Sequence, residues 1–193
     1  MLFDIQNLVR GLGGVKETME ALEYFREQTV KAGFPGLELH LTIRSRKYME
    51  NMLDGETDIF TFINNAGFDG VTHYQFFDFA KMNRPYSEIL DDVKAEWKYI
   101  EENINAPFVP HVSVGWDPTP RYNFDVHDIC VENTPEQVEK AFRLAKEYVD
   151  SHSVKAPLIT VNSWNEWTEG SYLEPDDLYG YGYLEAIKKV FID

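Results

Sequence analysis

The chain has 193 residues, 44% hydrophobic and 26% charged, a balance that fits one folded domain and excludes both a disordered segment and two full domains. Its formal net charge of −15 repels phosphate backbones and anionic headgroups, so no nucleic acid and no membrane are expected as partners. A single cysteine, Cys130, excludes an internal disulfide and a cysteine-cluster metal site, and no apolar run reaches the ~18 residues of a membrane span.

At the start, Met1-Leu2-Phe3-Asp4 has neither the basic n-region nor the long apolar core of a secretory signal. That fits a cytoplasmic chain if Met1 is the true start, and leaves the compartment open otherwise. Residues 2–5 read as the remnant of a strand. Residues 17–32 place Met19, Leu22, Phe25 and Val30 near one face of a helix. The stretch 37–43 then reads as a buried strand, as do 71–76, 108–114 and 158–161, each short, rich in β-branched or aromatic residues and bounded by turn signals. Between them, 86–104 opens after Pro85 and spaces Ile89, Val93, Trp97 and Ile100 for one helical face. Thr134-Pro135-Glu136-Gln137 supplies an N-cap, a proline at the first helical position and a capping-box glutamine ahead of Val138, Ala141, Phe142, Ala145 and Val149. A last helix covers 183–192.

A weak repeat joins two of these segments. Ala32-Gly33-Phe34-Pro35-Gly36-Leu37 recurs as Ala66-Gly67-Phe68-Asp69-Gly70-Val71. In both, a helix is expected to end on a glycine, a Phe to pack back, and a second glycine to turn into the next strand. Strands alternating with helices imply a parallel sheet covered by helices. A complete (β/α)₈ barrel takes about 250 residues. The expected fold class is therefore α/β, of (β/α) TIM-barrel type, with residues 1–193 a single domain covering only the C-terminal half, about strands 5–8. An open half-barrel leaves bare edges, so completion by a second copy in a homo-oligomer or by a missing N-terminal half is expected. A small doubly wound sheet standing alone is the alternative.

In a parallel (β/α) array the chemistry sits in loops at the C-terminal strand ends. After the last strand come Trp164-Asn165-Glu166-Trp167-Thr168-Glu169 and then Tyr172 and Glu174. If this loop begins a helical turn, Glu166 and Glu169 share a face with Cβ atoms roughly 5–6 Å apart. Close carboxylates cannot both ionise freely, so one pKa should rise and the pair can divide acid and base work. Paired carboxylates at about 5 Å also serve retaining glycoside hydrolysis. Trp164 and Trp167 offer flat faces for sugar C–H groups. Each residue also has a plainer reading, tryptophan as core and glutamate as solvated surface.

Asn165-Glu166-Trp167-Thr168-Glu169-Gly170, then Tyr172-Leu173-Glu174-Pro175-Asp176 and Gly182-Tyr183-Leu184-Glu185-Ala186, resemble the C-terminal signature of the WbsX-like glycosyltransferases, relatives of glycoside hydrolase family 99. A second matching stretch is Val114-Gly115-Trp116-Asp117-Pro118-Thr119-Pro120-Arg121. The resemblance spans essentially the whole chain. It implies the second half of a (β/α)₈ barrel acting on oligosaccharide or polysaccharide, with retaining cleavage of α-mannosides. It assigns Glu166 as the base on the sugar 2-hydroxyl, opening a route through a 1,2-anhydro intermediate, and Glu169 as the acid/base at the leaving oxygen.

Further candidates for sugar contact are Trp116, Asp117, Arg121, His40 and Tyr74. Asp117 and Arg121 either bind hydroxyls or hold each other in a salt bridge. His40, His73 and His111 lie on strands, where they line a pocket floor or act as hydrogen-bonded core residues. Tyr74 and Gln75 extend a platform or simply pack. No histidine has metal-ligand spacing and Glu174/Asp176/Asp177 lack the glycine turn of a calcium loop, so no metal and no cofactor are expected. Three classes of function follow: a hydrolase of α-linked glycans, a glycosyltransferase of polysaccharide assembly, and a non-catalytic sugar-binding half-barrel. A nucleotide-sugar donor would call for a phosphate site, and the sequence matches neither the G-x-G-x-x-G nor the P-loop phosphate pattern.

Overall fold

The computed structural model describes residues 2–51, 53, 57–122, 128–152 and 157–193, with backbone only for 2–7. They form two compact units, Met1–His73 with Lys98–Phe108, and Tyr74–Trp97 with Val109–Asp193.

In the first unit the order is β1 (Leu2–Asp4), α1 (Ile5–Leu12), α2 (Val15–Lys31), β2 (His40–Ile43), α3 (Arg46–Glu50), α4 (Ile59–Asn65) and β3 (Gly70–His73). The strands pair in parallel in the order β1-β2-β3, and Phe108 bridges in parallel to Val71. Leu39, Leu41, Ile43 and Val71 are fully buried in this sheet, as parallel strands covered by helices require. The strand expected from residue 37 begins only at His40. The Leu39 N–H is taken by the Asp69 side chain at 2.9 Å, and the Asp69 N–H by the Leu39 carbonyl at 2.8 Å, so the ladder starts one residue later. Both glycine joints form: α2 and α4 end at Ala32 and Ala66, followed by Gly33 at φ 93 and Gly67 at φ 69. Phe68 packs back as expected, whereas Phe34 stays exposed, and so does Val30 on α2. Two helices, α1 and α3, were not anticipated, and α4 was expected only from the glycine step that ends it. α4 is capped by Asp58, whose carboxylate accepts the Phe60 and Thr61 N–H groups.

The second unit holds a 3₁₀ turn (Phe76–Asp78), the opening part of α5 (Tyr86–Asn103), β4 (His111–Ser113), α6 (Pro135–Ser151), β5 (Thr160–Asn162), β6 (Asn165–Glu166), β7 (Ser171–Tyr172) and α7 (Gly182–Phe191). β4 and β5 pair in parallel; β6 and β7 form a short antiparallel hairpin. The strand expected over 108–114 is cut to three residues because Pro110 has no N–H to donate. The expected last strand shifts to Thr160–Asn162, leaving Leu158 exposed. On α5, Ile89, Val93 and Trp97 are buried as their spacing predicts, and so are Val138, Ala141, Phe142 and Ala145 on α6. Phe142 meets Phe191 of α7 edge-on at 6.0 Å. Thr134 is the N-cap and Pro135 the first helical residue, but the capping box does not close: Thr134 makes no side-chain cap bond, and the Gln137 amide oxygen accepts from Lys140.

Candidate active site

β4 and β5 run side by side, so the loops that leave their C-terminal ends, 114–122 and 163–176, start as neighbours. A buried polar network fixes the start of the second loop. The Gln75 amide donates to Asn162 Oδ1 at 3.0 Å, and the Ser171 hydroxyl lies 2.9 Å from both that oxygen and the Asn162 carbonyl. Ser163 donates to the Ser171 carbonyl at 2.8 Å and accepts the Glu166 N–H at 3.1 Å. Gln75 and Ser171 are fully buried, so each depends on these partners. The Asn162–Ser163 peptide is cis. His111 sits beneath as a core residue, with Nδ1 2.9 Å from Thr160 Oγ1 and Nε2 3.1 Å from Ser113 Oγ, rather than on a pocket floor.

The loop does not begin a helix, as expected for the two glutamates. Glu166 ends β6, and Glu169 is the last residue of a single 3₁₀ turn (Trp167–Glu169). Gly170, at φ 57, stops the turn and sends the chain into β7. What joins the two carboxylates is Arg121. Its Nη1 donates to Glu169 Oε1 at 2.6 Å and its Nη2 to Glu166 Oε1 at 3.0 Å. Thr168 Oγ1 also donates to Glu166 Oε1, at 2.7 Å. Arg121 therefore does not hold Asp117, the partner considered from sequence. Asp117 instead accepts the Thr119 N–H at 3.0 Å and gives its own N–H to the Glu169 carbonyl at 2.7 Å. One guanidinium between two carboxylates replaces their mutual repulsion with two charge-assisted bonds. The acids differ in setting: the Glu166 side chain is 41% exposed and that of Glu169 only 8%.

Two glycines let the loops touch. A Cβ on Gly115 would lie 2.3 Å from the Gly170 carbonyl oxygen and 2.7 Å from Asn133 Nδ2; one on Gly170 would lie 3.0 Å from Asp117 Cβ.

Beside the acids is an aromatic surface. Trp167 stacks on Tyr172 at 3.9 Å and donates its indole N–H to Glu174 at 3.0 Å. Tyr172 meets Tyr183 edge-on, and Tyr183 meets Tyr179. Burial, helped by the Asp176 carboxylate, pushes the Tyr172 phenol up to about 12, so it is a neutral hydroxyl at physiological pH. Trp164 and Trp167 are exposed, 52% and 43%, so neither is a core residue. Asn165 is exposed beside them. Trp116 is only half-exposed, and Phe77 covers one of its faces in a near-parallel stack at 3.8 Å, as Tyr172 does for Trp167. Tyr74 is half-buried at the start of this unit, while Gln75 packs. His40 lies in the first unit, with Nε2 3.6 Å from Glu38. Asp176 fastens a turn by accepting the Leu178 and Tyr179 N–H groups. Among the described residues no group of three or more His, Cys, Asp or Glu is placed to hold a metal ion.

A family model described as Glycosyltransferase WbsX matches residues 12–187. The uncharacterized protein WxcX of Xanthomonas campestris pv. campestris (strain B100) is 31% identical over 81 residues, 42% of this chain and 12% of that protein. Among solved structures, a glycoside hydrolase-like protein is similar at a TM-score of 0.53 and 17% identity, over 92% of this chain and 60% of that one. The GH99 endo-α-mannosidase from Bacteroides thetaiotaomicron gives a TM-score of 0.46 and 18% identity, over 80% of this chain and 42% of the other. The chain spans 60% or less of the length of each of these proteins.

Proposed function

The chain belongs to the glycosyltransferase WbsX family, and from that premise we propose that it carries the acid/base half of a retaining glycoside hydrolase site for α-linked, mannan-type glycans. It is a carbohydrate-active domain of WbsX type with a glycoside hydrolase-like fold. The observation that carries the finer reading is the pair Glu166 and Glu169, held by one arginine at a parallel strand end beside two exposed indoles. Glu166, the more exposed acid, takes the proton of the sugar 2-hydroxyl as O2 closes on C1. The C1–oxygen bond to the leaving group breaks as Glu169 gives that oxygen a proton. Water, deprotonated by Glu169, then opens the 1,2-anhydro ring at C1 while Glu166 returns the proton to O2, so configuration is retained. Trp164 and Trp167 offer stacking faces, with Asn165, Tyr172 and Glu174 around them; Trp116, Asp117 and Tyr74 belong to the neighbouring segments.

The same reading makes residues 1–193 the C-terminal part of a (β/α) barrel, about strands 5–8, completed by a second copy or by an N-terminal half. Supporting it, β5 is paired on one edge only, by β4, among the described residues. The experiment is incubation with α-mannan oligosaccharides, with and without a nucleotide sugar, comparing wild type with Glu166→Gln and Glu169→Gln. Donor-independent cleavage lost in both variants supports the hydrolase. The family's description favours a second reading, a transferase, which turnover only with the nucleotide sugar would establish. Against it, Arg121 is the one basic residue in the sequence of either loop, and it is engaged by the glutamates rather than offered to a phosphate. Binding without turnover in either condition would leave a sugar-binding module.

A further inference from the structure

We propose that Arg121 is the positioning residue of this site, its guanidinium setting where both carboxylates point, and that it is not a ligand for the sugar. The proposal rests on Glu166 and Glu169 being the acid/base pair. A guanidinium is a rigid planar fork, and here each tine takes a different acid: Nη1 holds Glu169 and Nη2 holds Glu166. The spacing of the two bound oxygens is thereby tied to the width of one functional group.

The mount is built for this. The turn that carries Arg121 is closed by its own N–H to the Pro118 carbonyl at 3.0 Å and by the Thr119 N–H to Asp117 at 3.0 Å. The same turn is fastened to the backbone of Glu169 through the Asp117 N–H at 2.7 Å. The arginine and the acid it orients therefore move as one piece. Its side chain is 42% exposed, so the ion pairs add little to stability, and orientation is the larger effect. Both N–H groups of Nη2 are taken, by Glu166 and by Thr168 Oγ1 at 3.0 Å, and one of Nη1 by Glu169, so a sugar hydroxyl reaching the Nη2 side would have to displace one of these bonds. Lysine keeps the charge but, as a point cation, cannot span both acids in a fixed geometry.

Two measurements test this. Proton–nitrogen NMR of the arginine side chains in the ligand-free wild type is expected to show separate, slowly exchanging Nη signals for Arg121. In Glu169→Gln these are expected to merge. Averaged Nη signals in the folded wild type would overturn the proposal, whatever the chain's activity. In kinetics on the oligosaccharide, Arg121→Lys and Arg121→Gln are expected to lower kcat roughly 10–100-fold with KM held within about threefold. A raised KM with kcat kept would make Arg121 a substrate ligand and sink the idea. A wild type inactive on every α-mannoside even when complemented with an N-terminal half-barrel defeats the hydrolase reading alone, and the NMR result still decides the role of Arg121. Circular dichroism of each variant separates a lost fold from a lost orientation.

Discussion

Replacing Gly115 by alanine perturbs the contact on which the site is assembled. The new Cβ would lie 2.3 Å from the Gly170 carbonyl oxygen, more than 1 Å inside the ~3.5 Å of an ordinary non-bonded contact. The obstacle is backbone, so no side-chain rotation relieves it, and Asn133 Nδ2 at 2.7 Å blocks the other direction. The loops must separate by about 1 Å, an overpacking cost of about 1–3 kcal/mol. That movement stretches the Asp117 N–H bond to the Glu169 carbonyl, now 2.7 Å, and the Asn133 bond to the Val114 carbonyl, now 2.9 Å. Each loss adds about 1 kcal/mol. The total is roughly 3–5 kcal/mol, or a melting temperature lower by about 6–20 °C for a chain of this size. Thermal and urea denaturation followed by circular dichroism measure it. A Gly115→Ala protein within about 0.5 kcal/mol of wild type would refute the close-approach reasoning.

Gln75→Ala removes a fully buried amide from Asn162 and leaves a cavity beneath the loop; a loss of about 2–4 kcal/mol is expected in urea unfolding, and under 1 kcal/mol would contradict the network. Burial pushes the Cys130 thiol up to about 12. At pH 8 only about one molecule in 10,000 is then thiolate, and labelling by a thiol reagent should be slow until the protein unfolds. Tyr172 is also pushed up to about 12, and Tyr86 and Tyr183 are raised, each chiefly by burial. The unfolded chain releases these protons first, so it binds fewer protons than the native state at alkaline pH. Stability is therefore full below about pH 8.5–10, where the unfolded groups begin to titrate, and falls as pH rises towards 12. A denaturant midpoint that stays flat across that window would contradict this.

Much of this was legible in the residues themselves. The buried runs around Leu41, Val71 and Val112 named the strands because parallel strands hide both faces. Thr134-Pro135 placed the start of α6, and the paired Ala-Gly steps at 32–33 and 66–67 marked two helix ends. Acids and indoles crowded after β5 marked the candidate site. Other features left weaker marks. The hairpin β6–β7 arises because Gly170 stops the turn after one step and Asn165 and Glu166 find partners in Tyr172 and Ser171; a spacing of three looks the same in a helix and in a 3₁₀ turn. Asp58 before Ile59, with Gly67 beyond, was a readable start and stop for α4. Arg121 lies 45 residues from Glu166, and a contact of that separation has no local signal. Thr168, Asn162, Ser163 and Ser171 are short polar residues whose roles appear only once the loops are folded together. Gly115 and Gly170 carried the one available hint, since a glycine beside a strand end marks a close approach of backbone.

The central claim is that Glu166 and Glu169 are the acid/base pair of an α-glycan-cleaving site. Its most direct test is time-resolved release of reducing sugar from an α-linked mannan oligosaccharide by the wild type, Glu166→Gln and Glu169→Gln, each complemented with an N-terminal half-barrel if the chain alone is silent. Loss of roughly 10²–10⁴ in rate in each variant, with oligosaccharide binding retained, is the predicted result. Wild-type rates in either glutamine variant would contradict the account.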